Sequence, residues 1–160
     1  KKHIAVDESG MVLALHTTTA NQHDSKGLPP LLKKLPLTNK QRRRGVYADK
    51  GYQVPDNVKA LEDRGIKDRI QQKGHRNKPL KYWQKQFNKI ISKSRWVVER
   101  TFGSLKRWFN SGRTRYKGIK KTHAQHMLEV IAHNLYRSPG KIVAMAQSNQ
   151  NDLSTSQKST

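Results

Sequence analysis

The fold class is decided by the stretch GVYADKGY at residues 45–52. Its apolar half predicts a short buried strand, and the glycine at position 51 helps to end that strand. Asp49 then stands at the carboxyl end of the strand, which is where open α/β sheets place their binding sites. The alternative for Asp49 is local, namely an acid that caps the turn after the strand.

The segments on either side of this strand predict further strands and helices. Residues 3–7 and 11–17 alternate apolar and polar side chains around a short turn, which predicts a β-hairpin. Helices with proline in the first turn are predicted over residues 28–35 and 55–65, and a short strand over residues 66–70. This order predicts an α/β fold in which helices pack on one mixed sheet.

Two long helices are predicted in the second half of the chain. Residues 80–109 carry an apolar stripe at helical spacing. Thr122 is predicted to cap the last helix. The inner side of that helix is expected to hold four apolar residues, Met127, Val130, Ile131 and Leu135. Residues 1–138 are predicted to form one domain, and residues 139–160, rich in Ser, Gln, Asn and Thr, a disordered polar tail.

The chain carries a net charge of +22 over 160 residues, from 33 basic and 11 acidic side chains. Such an excess points to a polyanionic partner. Nucleic acid is favoured over a membrane, because no segment approaches the roughly 20 apolar residues of a membrane-spanning helix. The absence of cysteine excludes disulfides and thiolate zinc sites. The N-terminus lacks a secretory signal, so the expected compartment is the cytoplasm, with access to DNA.

Glu99 is an isolated acid in the most basic part of the chain. Residues 67–121 hold 18 basic residues but only two acids. On a helix, where each residue advances about 100°, Glu99 shares one face with Arg95 and Lys106. A carboxylate between two cations suits a site that handles phosphates and a metal. The alternative is an ordinary ion pair between Glu99 and Arg95 on the helix surface.

Asp49 and Glu99 together predict a divalent metal site. If the strand end and the helix face converge, both carboxylates can bind Mg²⁺, which takes one or two protein carboxylates together with waters and substrate phosphates. Two such ions about 4 Å apart suit phosphodiester chemistry, since they activate the attacking oxygen and stabilise the leaving one. A third protein ligand is expected, because two carboxylates are a small set for that chemistry.

The densest basic patch begins near the end of the helical stripe. It comprises Lys106, Arg107, Arg113, Arg115, Lys117, Lys120 and Lys121. Contact with DNA phosphates is the functional interpretation of this patch, and a solvated surface is the alternative. Trp96 and Trp108 are expected in the core, since large aromatic residues of an amphipathic helix are usually buried, and a platform on which a base stacks is the alternative.

Five short motifs follow one another along the chain. They are KHIAVD at residues 2–7, ANQHDS at 20–25, VYADKGY at 46–52, Arg95-x3-Glu99-x6-Lys106, and AHNL at 132–135. Together they resemble the DDE transposases of bacterial insertion sequences, and most closely insertion-sequence family five, which is related to family four. The resemblance implies a ribonuclease-H-like fold, similar to that of retroviral integrases. It also implies Mg²⁺- or Mn²⁺-dependent hydrolysis of DNA at transposon ends, then strand transfer by the freed 3′-hydroxyl.

The resemblance assigns roles to four residues by their positions in these motifs. Asp49 corresponds to the family's second catalytic aspartate and Glu99 to its catalytic glutamate, so both are implied metal ligands. Arg95 and Lys106 correspond to the basic residues that accompany the glutamate and bind DNA near the cleavage site. Ser92 departs from the pattern, because related families have a tyrosine there.

The resemblance also leaves the site incomplete. The family's first catalytic aspartate lies on a strand upstream of residues 2–7, and no residue here occupies that place, since Asp7 and Asp24 belong to other motifs. The chain is therefore expected to be the C-terminal part of a transposase, either a second reading frame or a remnant, and to be inactive alone.

The partners expected from this reading are DNA, at transposon ends and at target sites, and the upstream part of the same transposase. A homodimer at the bacterial nucleoid is also expected, and no membrane partner is. The alternative function is a non-catalytic basic protein that uses the fold only to bind DNA or RNA.

Overall fold

Strands and helices are mixed along the chain, which confirms the predicted α/β class. The computed structural model describes residues 1–74, 76 and 78–139, so the predicted tail lies outside the described residues apart from Pro139. The strands are β1 (Lys2–Val6), β2 (Val12–Thr17), β3 (Val46–Ala48) and β4 (Asp68–Ile70). The α-helices are α1 (Leu28–Lys34), α2 (Asn39–Arg44), α3 (Pro55–Glu62), α4 (Tyr82–Phe109) and α5 (Ile119–Arg137). Short 3-10 helices cover Asp24–Gly27 and Lys50–Tyr52.

β1 and β2 form the predicted antiparallel hairpin, in which Lys2 lies opposite Thr17. The turn is held by Asp7, whose Oδ1 accepts hydrogen bonds from the backbone N–H groups of Ser9 and Met11, both at 2.9 Å. A carboxylate that binds two backbone donors fixes the turn geometry. The hairpin therefore provides a defined surface for the last two helices.

β3 pairs with β4 in parallel, with Val46 opposite Asp68. Gly45 ends α2 directly before β3, and its φ of 88° is a conformation that mainly glycine adopts. A Cβ at this position would lie 2.3 Å from the carbonyl oxygen of Lys67, so a side chain would push β3 away from β4. The sequence predicts a buried strand, but β3 is only half-buried, and Tyr47 in its middle is 46% exposed. The reason is that only one side of this three-residue strand is covered.

The described residues form two small sheets, β1–β2 and β3–β4, in place of the single mixed sheet that the sequence predicts. They are separate because no described segment supplies the backbone hydrogen bonds that would join them. The two sheets nevertheless share a hydrophobic core, and α4 packs against both β1 and β3. The buried core residues are Ala14, Leu28, Leu31, Leu32, Leu35, Leu61, Ile66 and Ile70.

α2 is absent from the predicted elements. No residue of this helix is buried, so apolar periodicity does not reveal it. It is held instead by a capping box, in which Thr38 Oγ1 accepts a bond of 3.3 Å from the backbone N–H of Gln41 and Gln41 Oε1 accepts one of 2.9 Å from that of Thr38. The spacing Thr38-x-x-Gln41 is the sequence signal that identifies this helix start.

α4 begins at Tyr82, two residues after the predicted start, and then continues to Phe109 without interruption at Gly103. Ile91 and Leu105 of the apolar stripe are almost completely buried. Trp96 and Trp108 contradict their expected burial, since both are more than half exposed. They lie off the stripe, where neighbouring arginine side chains cover their rings.

α5 begins at Ile119, before the predicted cap Thr122, and turns its apolar side outward. Of the four residues expected inside, Val130 is buried, while the other three are exposed, namely Met127, Ile131 and Leu135. Hydropathy therefore gives the wrong inner face for this helix. Among the described residues, neither α5 nor any other helix has the length and apolar composition needed to cross a membrane.

The buried side of α5 is polar because it faces the backbone of the hairpin. His133 Nε2 bonds with the carbonyl oxygen of Gly10 at 3.1 Å. The Asn134 side chain accepts a hydrogen bond from the backbone N–H of Val12 and donates one to its carbonyl oxygen, both at 2.9 Å. Buried backbone groups need such partners, which explains why polar residues occupy this face.

Candidate active site and basic loop

Asp49 lies immediately after β3, as the sequence predicts, and is the N-cap of the following 3-10 helix. Its Oδ1 accepts a 2.6 Å hydrogen bond from the backbone N–H of Lys50. Its Oδ2 lies 3.8 Å from Nη1 of Arg95 on α4. Asp49 therefore caps the turn after β3, which is the local alternative, but the cap uses only one of its two carboxylate oxygens.

A set of polar contacts fixes α4 against the end of β4. Asn88 accepts a 2.7 Å hydrogen bond from the backbone N–H of Gln72 and donates one of 2.9 Å to its carbonyl oxygen. One turn later, Ser92 Oγ accepts a 2.8 Å bond from the side-chain amide of Gln71. Ser92, at the position of the expected tyrosine, thus helps to hold the helix. Asn88, Ser92 and the Arg95–Glu99 pair share one face of α4, which is a sequence signal for this anchor.

Arg95 contacts both predicted metal ligands. Its Nη2 lies 3.3 Å from Glu99 Oε1, and its Nη1 lies 3.8 Å from Asp49 Oδ2. The i,i+4 ion pair is therefore present, but it is part of a three-residue group. The strand end and the helix face converge on one guanidinium group. Asp49, Arg95 and Glu99 are called the acid centre below, and their side chains are between 41% and 66% exposed.

The acid centre holds two carboxylates. Within the part of the chain that the structure describes, no cluster of three or more His, Asp or Glu side chains could hold a metal ion. Asp7 is engaged in the hairpin turn, and Asp24 forms a 3.0 Å ion pair with Lys1. Both acids therefore have local structural uses.

Tyr52 packs against the hydrophobic core beside the acid centre. Burial raises the pKa of Tyr52, and the negative charges of Asp24 and Asp49 act in the same direction. The hydroxyl lies 3.3 Å from His3 Nδ1 of β1. Tyr52 therefore stays uncharged at neutral pH and links the end of β3 to the first strand.

The predicted DNA-binding residues fall into two groups. Arg95 belongs to the acid centre, whereas Lys106 is exposed on the same face of α4, about 16 Å further along the helix axis. Arg107 is also exposed, and its guanidinium lies 4.9 Å from the centre of the Trp108 ring. Residues 110–118 between α4 and α5 form the basic loop. The loop carries three exposed cations, Arg113, Arg115 and Lys117.

A glutamine that no sequence pattern singles out holds the basic loop. Gln125 on α5 donates a 2.9 Å hydrogen bond to the carbonyl oxygen of Arg113 and accepts one of 3.0 Å from the backbone N–H of Arg115. It also donates a 2.7 Å bond to Glu129 Oε1. The helical spacing of Gln125 and Glu129 is the one local signal for this contact.

A buried ion pair lies beneath this glutamine. Lys2 Nζ of β1 contacts both Glu129 Oε2 and Ser111 Oγ, and the Lys2 and Glu129 side chains are each 8% exposed. Burial alone would raise the pKa of Glu129, but hydrogen bonds from Lys2, Gln125 and Ser111 lower it below its usual value. Glu129 is therefore ionised at neutral pH.

An α/β fold with a carboxylate at a strand end, a second carboxylate on a neighbouring helix and a strongly basic chain is typical of a domain that acts on nucleic-acid phosphates. Residues 1–135 match the family model described as "Transposase DDE domain". The chain belongs to this family. The resemblance inferred from the five motifs is thereby confirmed.

Two relatives extend this similarity over most of the chain. The chain is 40% identical over 146 residues to the transposase for insertion sequence element IS1106 of Neisseria meningitidis serogroup B. This match covers 91% of the chain and 49% of the relative. The chain is 36% identical over 111 residues to the putative transposase for IS402 of Burkholderia cepacia, which covers 66% of the chain and 48% of the relative. The chain thus spans about half the length of these relatives. No solved structure matches it.

Proposed function

We propose that this chain supplies two catalytic carboxylates and part of the DNA-binding surface of an insertion-sequence transposase. The complete enzyme would hydrolyse DNA at the ends of the element and join the freed 3′-hydroxyl to target DNA. The observation that carries this proposal is the meeting of Asp49 and Glu99 on Arg95. Two carboxylates brought together from β3 and α4 repel each other unless a cation lies between them, as the Arg95 guanidinium does here.

The donor set fits a hard divalent cation. Carboxylate oxygens are preferred by Mg²⁺ and Mn²⁺, and Mg²⁺ commonly takes one or two protein carboxylates with the remaining positions filled by water and phosphate. Asp49 and Glu99 would hold such an ion, in the place where the Arg95 guanidinium now balances their charge. When bound, divalent ions polarise the phosphodiester and stabilise the attacking and leaving oxygens.

The residues of this chain have separate tasks in the proposed reaction. The cap on Lys50 fixes Asp49, so its second oxygen points toward α4. Arg95 neutralises the acid pair before DNA binds and then turns to the scissile phosphate, for which a planar guanidinium has the right geometry. Lys106 and the basic loop bind flanking phosphates and so fix the position of the duplex.

We further propose that the remaining half of the transposase completes the site. Among the described residues, β1 and β3 each have one strand partner, and both pack against α4. A strand paired with these two edges would join the sheets into a ribonuclease-H-like sheet and could carry the third acid beside Asp49. The outward apolar side of α5 also offers surface that a partner can cover. This chain alone is then inactive.

The decisive experiment measures Mg²⁺-dependent strand transfer by this chain joined to the remaining half of the transposase. Glu99→Gln keeps the shape of the side chain but removes its charge, and it should lower the rate about a thousandfold or more, equal to about 4 kcal/mol of barrier. Glu62→Gln, at an exposed acid on α3, is the matched control and should leave the rate unchanged.

Two results would contradict the proposal. Strand transfer that persists in Glu99→Gln would remove Glu99 from the chemistry. Tight DNA binding without metal-dependent cleavage by the complete protein would instead favour the non-catalytic nucleic-acid-binding function.

A further inference from the structure

We infer that Gln125 is a positioning residue for DNA binding, because it holds the basic loop in the shape that presents Arg113 and Arg115 to phosphates. This inference rests on the proposed DNA-binding role of that loop. Gln125 lies on α5, outside the five motifs and outside the acid centre. Its assignment comes from its contacts with the loop backbone.

Both ends of the Gln125 amide are used. Its oxygen accepts the backbone N–H of Arg115 at 3.0 Å, and its nitrogen donates to the carbonyl oxygen of Arg113 at 2.9 Å and to Glu129 Oε1 at 2.7 Å. Both loop contacts are made to backbone atoms. The arginine side chains therefore stay exposed while their backbone is fixed.

Glu129 fixes the amide in turn. The buried Lys2–Glu129 pair orients the carboxylate, and Lys2 also contacts Ser111 at the start of the loop. At the other end, Thr122 Oγ1 donates a 3.3 Å hydrogen bond to the carbonyl oxygen of Tyr116. The basic loop is thus held at several points, while its cations stay exposed to solvent.

Holding the loop matters because its cations repel one another. Arg113, Arg115 and Lys117 lie within five residues, and an unrestrained loop would separate them. A loop already in its binding shape loses less conformational entropy when it binds DNA. Gln125 therefore contributes to affinity without touching DNA itself.

The test measures binding of the 160-residue chain to a mixed-sequence DNA duplex between about 50 and 200 mM salt. The variants are Gln125→Ala, the double variant Arg113→Ala with Arg115→Ala, and the triple combination. Removal of both arginines should lower the slope of log K against log salt by about 1.8, since each phosphate contact contributes about 0.9. Gln125→Ala should weaken binding about fivefold, but less than about twofold in the background that lacks both arginines.

Two further measurements separate positioning from general stability. Hydrogen exchange at the Arg115 amide should accelerate in Gln125→Ala, because this N–H loses its acceptor. Gln86→Ala, at an exposed glutamine on α4, is the control and should change neither affinity nor exchange.

Each result decides between named explanations. If Gln125→Ala lowers DNA affinity equally with and without the two arginines, the inference is overturned, because the effect of Gln125 then does not depend on them. The same holds if Gln125→Ala leaves affinity unchanged while the double variant weakens it. If neither variant alters binding or its salt slope, the proposed DNA-binding role of the loop is wrong as well.

Discussion

The acid centre, which is built partly on α4, and the basic loop, which follows α4, are held in opposite ways. In the acid centre, charged side chains contact one another directly and remain largely exposed. In the basic loop, the cations project outward while a buried ion pair and a glutamine hold the backbone beneath them. Under the proposed function, the basic loop is a preformed DNA-binding surface, whereas the acid centre exchanges its contacts with Arg95 for the ligands that it binds.

The two regions should therefore respond differently to the loss of a charge. Exposed ion pairs contribute about 0–1 kcal/mol to stability, because water and salt screen them. Breaking a buried pair costs about 3–5 kcal/mol, because the remaining charge stays buried without its partner. Stability measurements on matched variants can test whether this contrast is real.

Lys2→Met should give the largest stability change. Methionine retains most of the packing of the lysine stem but leaves the Glu129 carboxylate buried without its cation. We expect the free energy of unfolding to fall by about 3 kcal/mol, measured from the urea midpoint. Replacement of Glu129 by methionine in the same chain should restore part of the loss, because no unpaired charge then remains.

Glu8→Gln is the matched control for this variant. It breaks the 2.6 Å pair between Arg44 and Glu8, whose side chains are 54% and 82% exposed. Its effect should stay below about 1 kcal/mol. If Lys2→Met and Glu8→Gln shift the urea midpoint equally, the buried pair contributes no more to stability than an exposed one, and the contrast between the two regions is wrong.

The acid centre is easier to predict from the sequence than the contacts by which Gln125 and Lys2 hold the basic loop, for a physical reason. Asp49 follows an apolar run, and Glu99 lies on a helix whose stripe is regular, so both positions follow from local periodicity. Their convergence was expected from the usual place of sites at strand ends. Gln125 and Lys2, in contrast, act through contacts with backbone and with residues distant in sequence, which leave no periodic pattern.

α5 shows where hydropathy misleads. Its apolar residues at helical spacing predict an inward side, yet His126, Glu129 and His133 lie inside. The hairpin presents a hydroxyl, an ammonium group and backbone carbonyls to this helix, so hydrogen bonding decides the orientation. The described strands likewise form two sheets in place of the predicted single one, and no local pattern in the sequence encodes that separation.

The second largest effect should be a loss of stability in mild acid, caused by His126, which lies on α5 close to the buried Lys2–Glu129 pair. Burial lowers the pKa of His126 to about 4; the charge on Lys2 acts in the same direction, and that on Glu129 opposes it. Above about pH 6.5 this histidine is neutral in both the folded and the unfolded chain, so it does not change the free energy of unfolding with pH. Between about pH 6.5 and 4 only the unfolded chain binds the proton, so the free energy of unfolding falls, by about 2 kcal/mol at pH 5.

His126→Asn tests this assignment, because an amide can still bond with the hydroxyl of Thr17, which lies 2.9 Å from His126 Nδ1. Urea unfolding at pH 7 and pH 5 should show a smaller pH dependence in this variant than in the unsubstituted chain. Gln86→Ala, at an exposed residue that does not titrate, should leave the dependence unchanged. If His126→Asn keeps the full loss of stability between these pH values, the proton is taken up elsewhere.

The smallest effect is expected in the acid centre itself. Glu99→Gln removes an exposed carboxylate whose pair with Arg95 is 3.3 Å long, so the free energy of unfolding of this chain should change by less than about 0.5 kcal/mol. The same substitution is expected to abolish strand transfer in the complete transposase. Circular dichroism during urea unfolding gives the stability, and Asp63→Asn on the exposed end of α3 serves as the control. Large changes in both stability and activity would make Glu99 a structural residue and remove the contrast between the two regions. An unchanged free energy of unfolding together with a loss of strand transfer is the result expected of a ligand site, because the side chain of such a site contributes to binding and not to the stability of the fold.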